Sequence, residues 1–111
     1  MTIEVNNLTR RRIDKKLLEK VARAVLKKER KKLKNLSIAL VGQTKIKELN
    51  RKYRRKNKAT SVLSFQYDDI GEVVICLVFV EKTAKKFSLT FNEELARVLT
   101  HGIKNLCQRR T

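Results

Sequence analysis

The sequence predicts a single α/β domain, on three observations. Apolar stretches with the two-residue period of strands alternate with stretches that have the 3.6-residue period of helices. No linker, repeat, low-complexity segment or proline interrupts the series. A length of 111 residues supplies one packed core and leaves little for a second.

The elements follow in order. Residues 2–5 alternate polar and apolar as a short strand does, and Asp14 is placed to cap a helix with the stripe Leu17, Leu18, Val21, Ala24 and Val25. Ile13 and Leu18 have the spacing of a hydrophobic staple across that helix start. Residues 36–41 form a compact apolar run bounded by a basic stretch and by Gly42, the pattern of a buried strand. Thr44 is the expected cap of a second helix, with Ile46, Leu49 and Tyr53 inward. Residues 61–67 are rich in strand formers, and Asp68, Asp69 and Gly71 supply a turn into a neighbouring strand over 72–76. The apolar run continues through Val80, where a longer strand and a buried helix look alike by period; a helix from about Val78 to Phe87 is the reading adopted. Thr90 and Glu93 have capping-box spacing and open a last helix whose stripe is Phe91, Leu95, Val98, Leu99, Gly102, Ile103 and Leu106.

Charge sets the class of partner. Lys and Arg number 28 against 11 Asp and Glu, for a formal charge of +17, which repels itself in the folded state and attracts polyanions such as RNA. No apolar run approaches the roughly 18 residues of a membrane helix, and the N-terminus shows no basic segment followed by an apolar one. Cys76 and Cys107 sit among apolar residues, as free thiols of a reducing compartment do. A soluble cytoplasmic protein is expected.

Few residue sets could carry chemistry. No Ser/His/Asp set, glycine-rich phosphate loop or paired carboxylates are present. His101, the single histidine, precedes Gly102, and Asn105 follows one helical turn later on the same face, both flanking the apolar stripe. A lone histidine at a helix edge is more often a packing residue than a ligand. A basic cluster, Arg51, Lys52, Arg54, Arg55, Lys56 and Lys58, is suited to RNA phosphates or else forms a solvated loop. Tyr53, Phe65 and Tyr67 are placed to stack on bases or to line the rim of the core.

Taken together, 49–54 (Leu-Asn-Arg-Lys-Tyr-Arg), 58–65 (Lys-Ala-Thr-Ser-Val-Leu-Ser-Phe), 71–76 (Gly-Glu-Val-Val-Ile-Cys) and His101-Gly102 resemble the YbeY family of rRNA maturation factors, in the family's order and near its spacing. The resemblance implies a mixed four-stranded sheet with surrounding helices. It also implies a zinc-dependent endoribonuclease acting on single-stranded RNA, working with the ribosomal subunit. It puts Arg54 where the family has an arginine important for cleavage, and the three metal-ligand positions at His101, Asn105 and Thr111. Only His101 has ligand chemistry suited to zinc. Gln108 stands where the family has a glycine turn, and Arg109 and Arg110 add positive charge beside it. The family's prolines are replaced by Ala59, Gln66 and Leu77. The expectation is metal-assisted hydrolysis in the family, impaired here, with zinc weak or absent. The alternatives are a noncatalytic RNA- or ribosome-binding module, or an engineered or degenerate variant that keeps the fold alone.

Overall fold

The computed structural model describes residues 1–56 and 59–108, so Lys58, Arg109, Arg110 and Thr111 lie outside the described residues. The elements are β1 (Thr2–Asn7), α1 (Lys15–Lys28), β2 (Asn35–Val41), α2 (Gln43–Arg54), β3 (Val62–Tyr67), β4 (Ile70–Cys76), α3 (Leu77–Lys86) and α4 (Phe91–Gln108). The strands form one mixed sheet in the order β1-β2-β4-β3, the α/β architecture that was expected. β1, β2 and β4 run parallel, and β3 returns antiparallel on the outer edge of β4.

Strand alternation divides the core in two. Leu36, Ile38 and Leu40 of β2 and Val73 and Ile75 of β4 pack under α1 and α4, with Leu18, Leu26, Leu95, Leu99 and Ile103. The residues between them, Val41, Val74 and Cys76, face the smaller cluster built with Ile46 of α2 and Leu63 of β3. Each fully buried aliphatic side chain contributes roughly 1.5–3 kcal/mol, so the α1/α4 side carries most of the stability. α3 sits across the boundary, with Leu77 and Val80 in the larger cluster and Val78 and Phe79 against the smaller.

Several boundaries differ from the sequence reading. α2 is capped by Gly42 and not Thr44: the helix starts as soon as β2 ends, and Ile46 N bonds the Gly42 carbonyl at 3.2 Å, leaving Thr44 exposed inside the first turn. On α1 the buried face is Leu18, Ala22 and Leu26, because residues four apart stack, while Ala24 is exposed. On α2 the second buried position belongs to Asn50, and Tyr53 lies on the rim. Gly71 belongs to β4, paired with Leu36, and Asp68-Asp69 alone make the turn, with Asp68 at φ 53°. α3 begins at Leu77, directly on the end of β4. The Asp14 cap and the Thr90–Glu93 capping box form as read: Leu17 N donates to Asp14 Oδ1 at 3.1 Å, Glu93 N to Thr90 Oγ1 at 3.1 Å, and Thr90 N to Glu93 Oε1 at 2.8 Å.

α1 and α3 end in Schellman turns, with Lys31 N on Leu26 O and Leu89 N on Ala84 O, and their left-handed residues are Arg30 and Ser88, not glycine. Ser88→Gly removes the Cβ penalty there and should stabilise the fold by about 1 kcal/mol in urea unfolding; no gain would contradict that backbone assignment.

Glu94 is fully buried at the start of α4. Its carboxylate accepts from Arg97 at 2.6 and 2.9 Å and from the Thr83 hydroxyl of α3. The Arg97 bond holds its pKa below the usual carboxylate value against the opposing effect of burial, with Thr83 helping. A depressed folded pKa means the contribution is complete above the unfolded pKa and is lost as pH falls through the lower folded value. Glu94→Gln should therefore cost about 1–2 kcal/mol at neutral pH, and the gap to the parent should close in acid; a gap unchanged from neutral to acid pH would count against the charged pair.

Candidate functional site

The basic segment read as a loop is in large part the end of a helix. Arg51, Lys52 and Arg54 occupy the last turn of α2, where cations complement the helix dipole. The helix stops at Arg55, which turns left-handed at φ 56°, and Lys56 N then bonds the Asn50 carbonyl at 3.3 Å. All five cations from Arg51 to Lys56 are exposed.

From this turn Arg54 reaches β3, donating from Nη2 to the Ser64 carbonyl at 2.7 Å. Its guanidinium carbon lies 5.4 Å from the centre of the Phe65 ring, which Tyr53 meets edge-on at 5.2 Å. Lys52 Nζ in turn lies 5.3 Å over Tyr53. The bond and the ring fix the plane of the guanidinium fork, which is the part of an arginine that recognises phosphate. Beside it opens a hollow of about 390 Å³ lined by Asn50, Arg54, Lys56, Ala59, Thr60 and Leu63. Among the described residues the lining has two cations and no carboxylate, the composition of an anion site.

Ser64 joins this end of α2 to α4. Its carbonyl holds Arg54, and its buried hydroxyl donates to the Gly102 carbonyl at 2.7 Å. Gly102 makes that approach possible: a Cβ there would lie 2.7 Å from Val73 Cγ1 and 2.9 Å from Val62 Cγ2. His101, one residue earlier, is exposed on α4, as is Asn105 one turn later.

As zinc ligands these residues fit poorly. Zinc takes imidazole, thiolate and carboxylate donors. Among the described residues no three His, Cys, Asp or Glu side chains are grouped to hold a metal. Cys107 is half-buried, and its thiol is pushed above the usual range by burial and then by the charge of Glu29, against Lys31, which disfavours the thiolate a metal needs.

The fold and this edge define a mixed α/β protein with a basic, phosphate-sized hollow beside the end of α2. The model of the family described as Endoribonuclease YbeY matches residues 3–107, and the chain belongs to that family. An endoribonuclease YbeY of Thermotoga petrophila is 41% identical over 75 residues, covering 65% of this chain and 50% of that protein. One from Persephonella marina is 36% identical over 105 residues, covering 86% and 69%. The match thus spans about half the length of the first relative. The solution structure of TM1509 from Thermotoga maritima superposes with a TM-score of 0.64 at 32% identity, covering 98% of this chain and 73% of that one. No helix among the described residues is long and apolar enough to cross a membrane.

The places of two residues were not fixed by the sequence reading. Ser64 was open to a backbone or phosphate bond with no catalytic role, and its place opposite Val73 and on the α4 side of the sheet follows from strand alternation once the register is known. Asn50 carried a signal, since it stands four residues after Ile46 on the buried face. Gly102→Ala should lower stability by about 1–3 kcal/mol through overpacking, and Ser64→Ala by about 1 kcal/mol through the lost bond, both read by chemical denaturation. A neutral Gly102→Ala would mean that α4 and the sheet are not in such close contact.

Proposed function

We propose that this chain acts in rRNA maturation in the cytoplasm by holding single-stranded RNA at the end of α2, with Arg54 on a backbone phosphate and Arg51, Lys52, Arg55, Lys56 and Lys58 steering the strand. The observation that carries the reading is the brace on Arg54. A guanidinium tied to Ser64 and set over Phe65 is oriented before any ligand arrives. Preorganised charge of that kind steadies the negative charge that builds as a phosphodiester is attacked. The family supports RNA as the substrate, and the ribosomal subunit as its setting is part of the proposal.

Hydrolysis by the family's zinc-dependent route is impaired in this reading, because His101 is supported by an amide at Asn105 and by Thr111, neither a good zinc ligand. Zinc binding is weak or absent, and no step is assigned to it. A noncatalytic RNA- or ribosome-binding module is the second reading, favoured by the absence of a three-donor group among the described residues.

Arg54→Ala should weaken binding of a single-stranded oligoribonucleotide roughly tenfold, the size expected for a lost charge-assisted bond, and Arg54→Lys should restore only part of it. Equal affinity in all three proteins would remove Arg54 from the RNA site. Zinc content after dialysis and cleavage of the same RNA should both rise from near zero in the parent when Asn105→His, Gln108→Gly and Thr111→His are combined. A stoichiometric zinc in the parent would refute the impaired reading.

A further inference from the structure

A second basic surface lies on α1, apart from the end of α2. Lys16, Lys20, Arg23 and Lys27 recur at intervals of four, three and four residues, so they stand in one row on the outer face of the helix, and all are exposed. At 1.5 Å per residue the row rises about 16 Å, long enough to follow successive phosphates of one RNA strand. α1 packs under the sheet with α4, whereas α2 covers the other face, so an RNA held at Arg54 does not reach this row by the same contact.

Two features mark the row as more than a solvated face. None of its cations is ion-paired among the described residues, where the salt bridges are Arg11–Glu81 and Arg97–Glu94. The row also ends in a concave surface of about 430 Å³, where Arg23, Lys27, Lys31 and Lys32 surround an apolar floor of Met1, Leu26 and Leu33. Among the described residues its rim carries four cations and no carboxylate, which suits phosphate oxygens.

We propose that the outer face of α1 and the hollow at its C-terminal end form a second RNA-docking surface that grips the phosphate backbone without reading sequence. It tethers RNA at a distance from the Arg54 site and requires nothing of that site's chemistry. Its partner is the polyanionic backbone, since the surface offers charge and few groups that could read base edges.

The test compares three charge-matched variants in binding a single-stranded oligouridylate over a range of salt. One is Lys20→Glu, Arg23→Glu and Lys27→Glu on α1; a second places the same reversals at Lys82, Lys85 and Lys86 on α3; the third is Arg51→Glu, Lys52→Glu and Arg55→Glu on α2. The α1 variant should lower the slope of log affinity against log salt by about 2, at roughly 0.7 per lost phosphate contact, and the α3 variant should leave it nearly unchanged. Equal losses in the α1 and α3 variants would reduce the effect to net charge and overturn the proposal. Loss in the α2 variant with none on α1 would also overturn it while sparing the Arg54 reading. Loss on α1 with none on α2 would uphold it and remove Arg51, Lys52 and Arg55 from the RNA site, leaving Arg54 to its own variants. All the substituted side chains are exposed, and far-UV circular dichroism of each variant identifies any that fails to fold. An α1 variant that keeps its RNA slope but no longer binds anionic phospholipid vesicles would assign the face to a membrane surface and end the proposal.

Discussion

The contact of α4 with the sheet at Gly102 is the constraint on which the rest of this structure depends. A helix can lie that close to Val62 and Val73 only where it lacks a Cβ, and the Ser64 hydroxyl fills the remaining gap with a bond to the Gly102 carbonyl. The same strand residue offers its carbonyl to Arg54. One serine therefore ties the end of α2, the edge strand and the last helix together, and the spacing of His101 from the arginine-bearing turn is a property of the packed core. Overpacking a site of this kind costs on the order of 1–3 kcal/mol, a large share of the stability of a small domain.

Charge imposes the second constraint. A formal charge of +17 works against compaction, and among the described residues few carboxylates are spent on ion pairs to offset it. The fold answers with an apolar core whose largest side chains are fully buried, with a buried carboxylate at Glu94 that locks α3 to α4, and with Arg11 laid 3.7 Å over Phe91 while paired to Glu81. Concentrating the remaining cations on helix exteriors and at the end of α2 is what a protein that holds a polyanion needs. The cost is tolerable because repulsion between exposed charges more than about 10 Å apart is largely screened at moderate salt.

What was legible in the sequence was periodic or local. The capping box at Thr90–Glu93, the Asp14 cap and the stripe of α4 depend on near neighbours, and each formed as read. The two-strand unit around Asp68-Asp69 was visible for the same reason. What was hidden depended on pairings between distant residues. Asn50 was passed over because a polar residue on a buried face makes sense only with its surroundings known, and Tyr53 was placed inward because period alone does not show how far the core extends. The second helix was read as far as Tyr53, and what charge masked was its end: the basic segment looked like a loop in composition, although the helix persists until Arg55 turns left-handed. The resemblance in the blocks around Tyr53 to Phe65 and at His101-Gly102 reached the family, since those residues keep order and spacing.

The central claim is that the arginine-bearing end of α2 and the histidine-bearing turn of α4 answer one ligand as a unit through Ser64. Titrating a short single-stranded RNA into the nitrogen-15-labelled chain and following its backbone amides tests this directly. The account predicts concerted shifts at Arg51 to Arg55, at Ser64 and at His101 and Gly102, with the α4 response lost in Ser64→Ala. Shifts confined to the end of α2, with α4 silent at saturation, would contradict it.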